Sequence, residues 1–151
     1  MQYGTVVEYN SEDIKMSDLN SESNVKIFKR KSVNMHLNQT KVIPISRSKA
    51  VFTEKDNPQF EIIDVKKRLY IGCFDVGFIP TSFSMIGKKL GLGSISTQVT
   101  IFCFCGDHDN LRLVPVRTLN LSTIPIYLMS LKNSETLVTF EKWDVTIWNG
   151  D

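Results

Sequence analysis

The residues best equipped for chemistry lie at 103–109, where CFCGDHD brings two cysteines, a histidine and two aspartates into seven positions. Joined by Cys73, the thiols of Cys103 and Cys105 and the imidazole of His108 would make a Cys₃His set, a legitimate tetrahedral zinc site. Zinc modules usually supply paired cysteine knuckles with roughly two to four residues between the thiols, and this chain has a single C-x-C. Free cysteine packs well as a small hydrophobe. The expectation is therefore a strand ending in a polar turn, with no resident metal. Cys105 and His108 are also the atoms of a thiol nucleophile and its base, but a hydrolase needs base, orienter and oxyanion donors brought together in space. The other histidine, His36, sits in a strand-like run. Asp107 and Asp109 form a carboxylate pair, yet acids in a turn are ordinarily solvated. No catalytic residue and no cofactor is assigned, and the small zinc protein or hydrolase using Cys103, Cys105 and His108 is an alternative reading.

Anion-binding chemistry has two candidate places. In GKKLGLGS (87–94) Lys88 and Lys89 follow the first glycine, which is the wrong order for a Walker loop, and no strand–turn–helix context surrounds it. A basic loop able to touch phosphate remains. The second place is the segment 25–49, which holds Lys26, Lys29, Arg30, Lys31, Lys41, Arg47 and Lys49 and no acid. Phe28 stands among these cations, and interleaved aromatic and basic side chains on a strand can stack bases while neutralising phosphates. The same residues suit an anionic membrane surface, at about 1 kcal/mol per nearby basic side chain. The alternative is that Phe28 is core and the lysines simply face solvent.

The chain that must position these residues has 151 residues, 42% of them apolar and 23% charged, enough for one ordinary globular core. Its net charge of +2 is unevenly spread. Residues 1–24 sum to −4, residues 25–49 to +7 and the remainder to −1, so an acidic leader precedes a basic block. Three cysteines cannot close a disulfide framework. No run of apolar residues is long enough to span a bilayer. The start MQYGTVVEYN lacks the features of a secretory signal, Gln2 rules out myristoylation and the WNGD end carries no lipidation signal. A cytoplasmic location is expected, with association to membranes, or to a virion if the protein is matrix-like.

Short β-branched and aromatic runs separated by Gly, Pro, Asn, Asp and Ser recur from Val25 onward and predict strands at 25–28, 33–37, 41–46, 59–65, 68–79, 98–105, 111–116, 124–130, 136–140 and 142–148. The clearest is KWDVTIW, where Trp143, Val145 and Ile147 share one face and Lys142, Asp144 and Thr146 the other, a half-buried pattern. QVTIFCFC is apolar on both faces and suits a central strand. Residues 82–92 allow a short helix, weakened by Gly87 and Gly91. The fold class expected is all-β, an antiparallel sandwich or jelly-roll-like domain over 25–151 behind a mobile acidic leader at 1–24. An α+β fold is the alternative.

RLYIGCFDVGFIP (68–80) and VTIFCFCGD (99–107) resemble the 30K superfamily of viral cell-to-cell movement proteins. Tyr70, Ile71 and Gly72, then Phe74, Val76 and Pro80, look like that family's first strand and loop, and a second apolar strand ends in Asp107. The resemblance implies a jelly-roll-like domain that binds single-stranded nucleic acid and associates with membranes. Small matrix proteins of negative-strand RNA viruses are comparable in size and general character, by analogy alone. The function expected is thus non-enzymatic: a viral-type protein that self-assembles and binds RNA or a membrane surface. Lys26 to Lys49, Lys88 and Lys89 would make the anionic contact, and strand edges with aromatics such as Trp148 would serve self-assembly. A module that binds a host protein through an exposed sheet edge, insensitive to salt, is the competing interaction class.

Overall fold

The computed structural model describes residues 5–9, 13–18, 21–29, 40–46, 48–54, 57–106, 111–131 and 135–149. They form fourteen strands and, among the described residues, no helix. The all-β antiparallel class read from the sequence is what the chain forms. Every sheet is a meander of consecutive strands, in the orders β1-β2-β3, β4-β5-β6-β7, β8-β9-β10-β11 and β12-β13-β14. The connections are up-and-down, without the crossovers that a Greek-key jelly roll requires. Contacts divide the chain into two compact units, Met1–Asp75 and Val76–Asp151.

In the first unit β1 (Thr5–Tyr9), β2 (Asp13–Asp18) and β3 (Ser21–Lys29) pack on β4 (Thr40–Pro44), β5 (Lys49–Glu54), β6 (Gln59–Asp64) and β7 (Leu69–Asp75). Ile14 and Met16 meet Ala50, Phe52 and Ile63, with Val7, Phe28, Val65 and Tyr70 around them. The expected mobile leader therefore contains strands. DIKMSD is acidic overall, but it alternates, and Ile14 and Met16 turn inward to full burial while Lys15 stays exposed. Composition hid a period of two.

The second unit pairs β8 (Pro80–Ile86), β9 (Lys89–Ser94), β10 (Gln98–Cys105) and β11 (Arg112–Asn120) with β12 (Tyr127–Ser130), β13 (Leu137–Phe140) and β14 (Val145–Trp148). Ile86, Val99, Ile101 and Leu119 of the first sheet bury against Leu128 and Leu137 of the second. The short helix allowed at 82–92 is a hairpin instead. Ile86 faces Lys89 across a two-residue turn, and Gly87 supplies its φ of +57°, the conformation such hairpins demand. The flanking glycines serve packing: a Cβ on Gly93 would stand 2.6 Å from Pro125 Cγ. Thr81 and Ser82 donate their hydroxyls to the Pro125 carbonyl at 3.1 and 3.3 Å, so the loop before β12 is clamped onto β8.

Candidate protein-docking face

The sheet β12-β13-β14 presents two apolar faces, and only one is covered by this unit. Register places Tyr127, Phe140 and Val145 in one cross-strand row and Met129, Val138 and Ile147 in the next. The pleat puts both rows on a common side, opposite Leu128, Leu137, Thr139 and Trp148. The second set packs inward on the core of the unit, where Trp148 Nε1 donates to Thr139 Oγ1 at 3.1 Å. In the first set the edge-strand members are exposed, Tyr127 57%, Val145 60% and Ile147 64%, while Val138 on the central strand is buried between its neighbours at 6% and Phe140 is half-buried. None of its six members is charged. Tyr127 and Phe140 hold each other with ring centroids 5.8 Å apart, and the Lys142 ammonium lies 4.9 Å over the Trp143 ring in the adjoining turn.

This reverses the sequence reading of KWDVTIW at two points. Its apolar side is the solvent side, and Trp148, expected to be an exposed aromatic, is partly buried against the core while Trp143 is 78% exposed. Both sides carry an indole, and the neighbouring sheet, against which Leu128, Leu137 and Trp148 pack, decides which one turns in.

The face is held in place by Glu141, which is buried at the end of β13. Its Oε2 accepts from Ser122 Oγ at 2.8 Å, Thr123 N at 2.8 Å and Thr123 Oγ1 at 3.2 Å. Ser122 Oγ also lies 3.3 Å from Asp144 Oδ2. Burial acts to raise the pKa of the Glu141 carboxyl, but the hydrogen bonds from Ser122 and Thr123 outweigh it and hold the group below its ordinary range. The loop leading into β12 is thereby tied to the turn joining β13 and β14.

The residues selected from sequence are dispersed. Lys26 and Phe28 share one side of β3 and Lys29 the other, because strand side chains alternate. Phe28 is half-buried and packs against the core beside Tyr70, 6.5 Å between ring centroids. Lys29 is bound to Asp13 Oδ1 at 2.9 Å and Lys89 to Glu135 Oε2 at 3.0 Å, while Lys26 and Lys88 are exposed and Lys49 is half-buried at the start of β5. Lys41 lies in β4 opposite Thr53. Arg30, Lys31 and Arg47 are outside the described residues, as are the expected strand 33–37 with His36, and Asp107, His108 and Asp109. Cys73 is half-buried in β7 of the first unit. Cys103 is half-buried and Cys105 exposed in β10 of the second. Among the described residues no group of three metal-ligating side chains comes together. No helix among them is long and apolar enough to cross a membrane.

No family model matches this sequence, and no curated protein matches it. Solved structures do. The chain is similar to one in the crystal structure of the mitotic checkpoint complex, at 14% identity and a TM-score of 0.62, covering 97% of this chain and 45% of that one. It is similar to the computationally designed Ika4 protein at 13% identity and a TM-score of 0.60, covering 99% and 87%. It is also similar to the WD40 β-propeller domain of Doa1 at 10% identity and 0.59, covering 98% and 47%. The chain spans less than half the length of the checkpoint and Doa1 chains. The likeness is one of fold: successive antiparallel meander sheets of the β-propeller kind.

Proposed function

We propose that this protein is a non-catalytic interaction scaffold whose apolar β12-β13-β14 face docks a protein partner. The observation that carries the reading is the exposure of Tyr127 and Met129 on β12 and of Val145 and Ile147 on β14, on one side of a sheet whose other side is already packed. Clustered exposed apolar side chains mark interaction sites. Fold likeness to a WD40 propeller domain is compatible with it, as an analogy between folds and not between activities. The expected movement-like or matrix-like role has neither a family model nor a curated relative behind it. Its anionic contact would rest on exposed cations such as Lys26 and Lys88, since Lys29 and Lys89 are already engaged with carboxylates.

The test is affinity capture from the native host by the tagged full chain, in low salt and in about 0.5 M salt, where exposed charge contacts are screened. Partners retained in high salt by the wild type and lost from a Val145→Lys/Ile147→Lys double variant support the docking face. Partners that survive the double substitution but wash off in salt would overturn it in favour of the basic residues.

A further inference from the structure

The sheets β1-β2-β3 and β12-β13-β14 have three strands each where β4-β5-β6-β7 and β8-β9-β10-β11 have four. Most described edge strands are guarded in the ways that discourage strand addition. β11 carries Arg112, Pro115 and Arg117, and its register with β10 shifts by a bulge at Ile101/Phe102. β7 has a bulge against β6 at Ile62/Ile63, β3 carries Lys26 and Lys29 and β4 contains Pro44. β12 lies against β8. β14, VTIW, has no proline, charge or bulge.

The ladder shows which backbone groups this edge offers. Glu141 N donates to Asp144 O at 2.8 Å and closes the turn between β13 and β14. Antiparallel pairs alternate between hydrogen-bonded and non-hydrogen-bonded. Thr139 with Thr146 and Leu137 with Trp148 are then the bonded pairs, and Phe140 with Val145 and Val138 with Ile147 are the open ones. The N–H and C=O groups of Val145 and Ile147 consequently point away from β13, towards the outer edge of the sheet formed by the described residues. They belong to the two residues whose side chains stand on the outward apolar face.

We infer that β14 accepts a fourth, antiparallel strand from an extended peptide segment of a partner. The segment places β-branched or aliphatic residues opposite Val145 and Ile147 and a polar residue between them. The backbone amides supply the affinity and the alternate side chains the selectivity. Opposite those two residues the incoming side chains fall on the outward face and continue its apolar rows. This inference rests on the docking-face reading and specifies the partner's chemistry.

The experiment uses the full chain, amide hydrogen exchange read by NMR, and the blocked heptapeptide KTVTVTK as probe. Without peptide, the Val145 and Ile147 amides exchange rapidly while those of Thr146 and Trp148 are protected. Saturating peptide slows exchange at Val145 and Ile147 by about tenfold or more, and the analogue N-methylated at both valines does not. Ile147→Pro removes an edge donor without removing a ladder bond, and weakens the peptide by about tenfold. Val145 and Ile147 amides already protected in the free chain overturn the inference, as does peptide binding that leaves them unprotected. If the peptide fails while high-salt capture still depends on Val145 and Ile147, strand addition falls and the docking face stands. If capture is indifferent to them too, both fall.

Discussion

Glu141 Oε2 gathers three hydrogen bonds from two consecutive residues, and that arrangement makes a stability claim. Because these bonds hold the folded pKa below the unfolded value, they stabilise the protein fully above the unfolded pKa of about 4.3. That contribution is lost as pH falls through the lower folded value. Glu141→Gln keeps the size but not the charge, so it costs about 1–2 kcal/mol near neutral pH and less as the solution is acidified. Urea unfolding of both proteins between neutral and acid pH would check this, and a pH-independent difference would contradict it. Thr97 makes the opposite case. It occupies the left-handed region at φ +58° in the turn between β9 and β10, where a β-branched side chain is strained. Its carbonyl accepts from Leu121 N at 2.9 Å, a bond that glycine would preserve. Thr97→Gly is expected to raise stability by about 1 kcal/mol, read as an increase in Tm.

Among the elements, β9 shows how a glycine-rich stretch can mislead. Leu90 and Leu92 are fully buried on one side, while Gly91 and Gly93 give the other side the closeness that the β8 and β12 region needs. A Cβ on Gly91 would stand 2.9 Å from Ile86 Cδ1, and at Gly93 it would meet Ser82 and Pro125. Gly93→Ala should therefore cost about 1–3 kcal/mol by overpacking, seen as a lower urea midpoint with an unchanged slope. β10 was legible because it is apolar on both faces, and β13 and β14 because their runs are bounded by polar turns. β5, β8 and β9 were not. KAVFTE begins on Lys49, the last cation of the basic block, and its apolar run is only three residues long, and PTSFSMI and KLGLGS have too many small residues to look like strands without their hairpin partner.

For the whole molecule, the sheet with an uncovered apolar side predicts how the native chain behaves before any partner is known. Native protein should bind an apolar fluorescent dye such as anilinonaphthalene sulfonate, and Val145→Lys/Ile147→Lys should lower that signal by about half or more. Because both residues are largely exposed, the double variant should unfold within about 0.5 kcal/mol of the wild type. Dye binding equal in the two proteins would place the apolar surface elsewhere.

Alternating β-branched and aromatic runs, turn residues between them and the poverty of helical period were enough to establish an all-β antiparallel chain, since strand pattern is a local property of sequence. They also grouped Val145 with Ile147 and Cys103 with Cys105, because alternation follows from the pleat alone. Which side of a strand turns inward is another matter. It depends on what the neighbouring sheet offers, and here Ile86, Val99, Ile101 and Leu119 take Leu128, Leu137 and Trp148, leaving Val145 and Ile147 outside. Likewise the lysines were visible but not their carboxylate partners: Glu135 lies 46 positions from Lys89 in sequence. Tertiary packing alone decided the candidate site, because exposure and pairing are properties of contacts between distant segments.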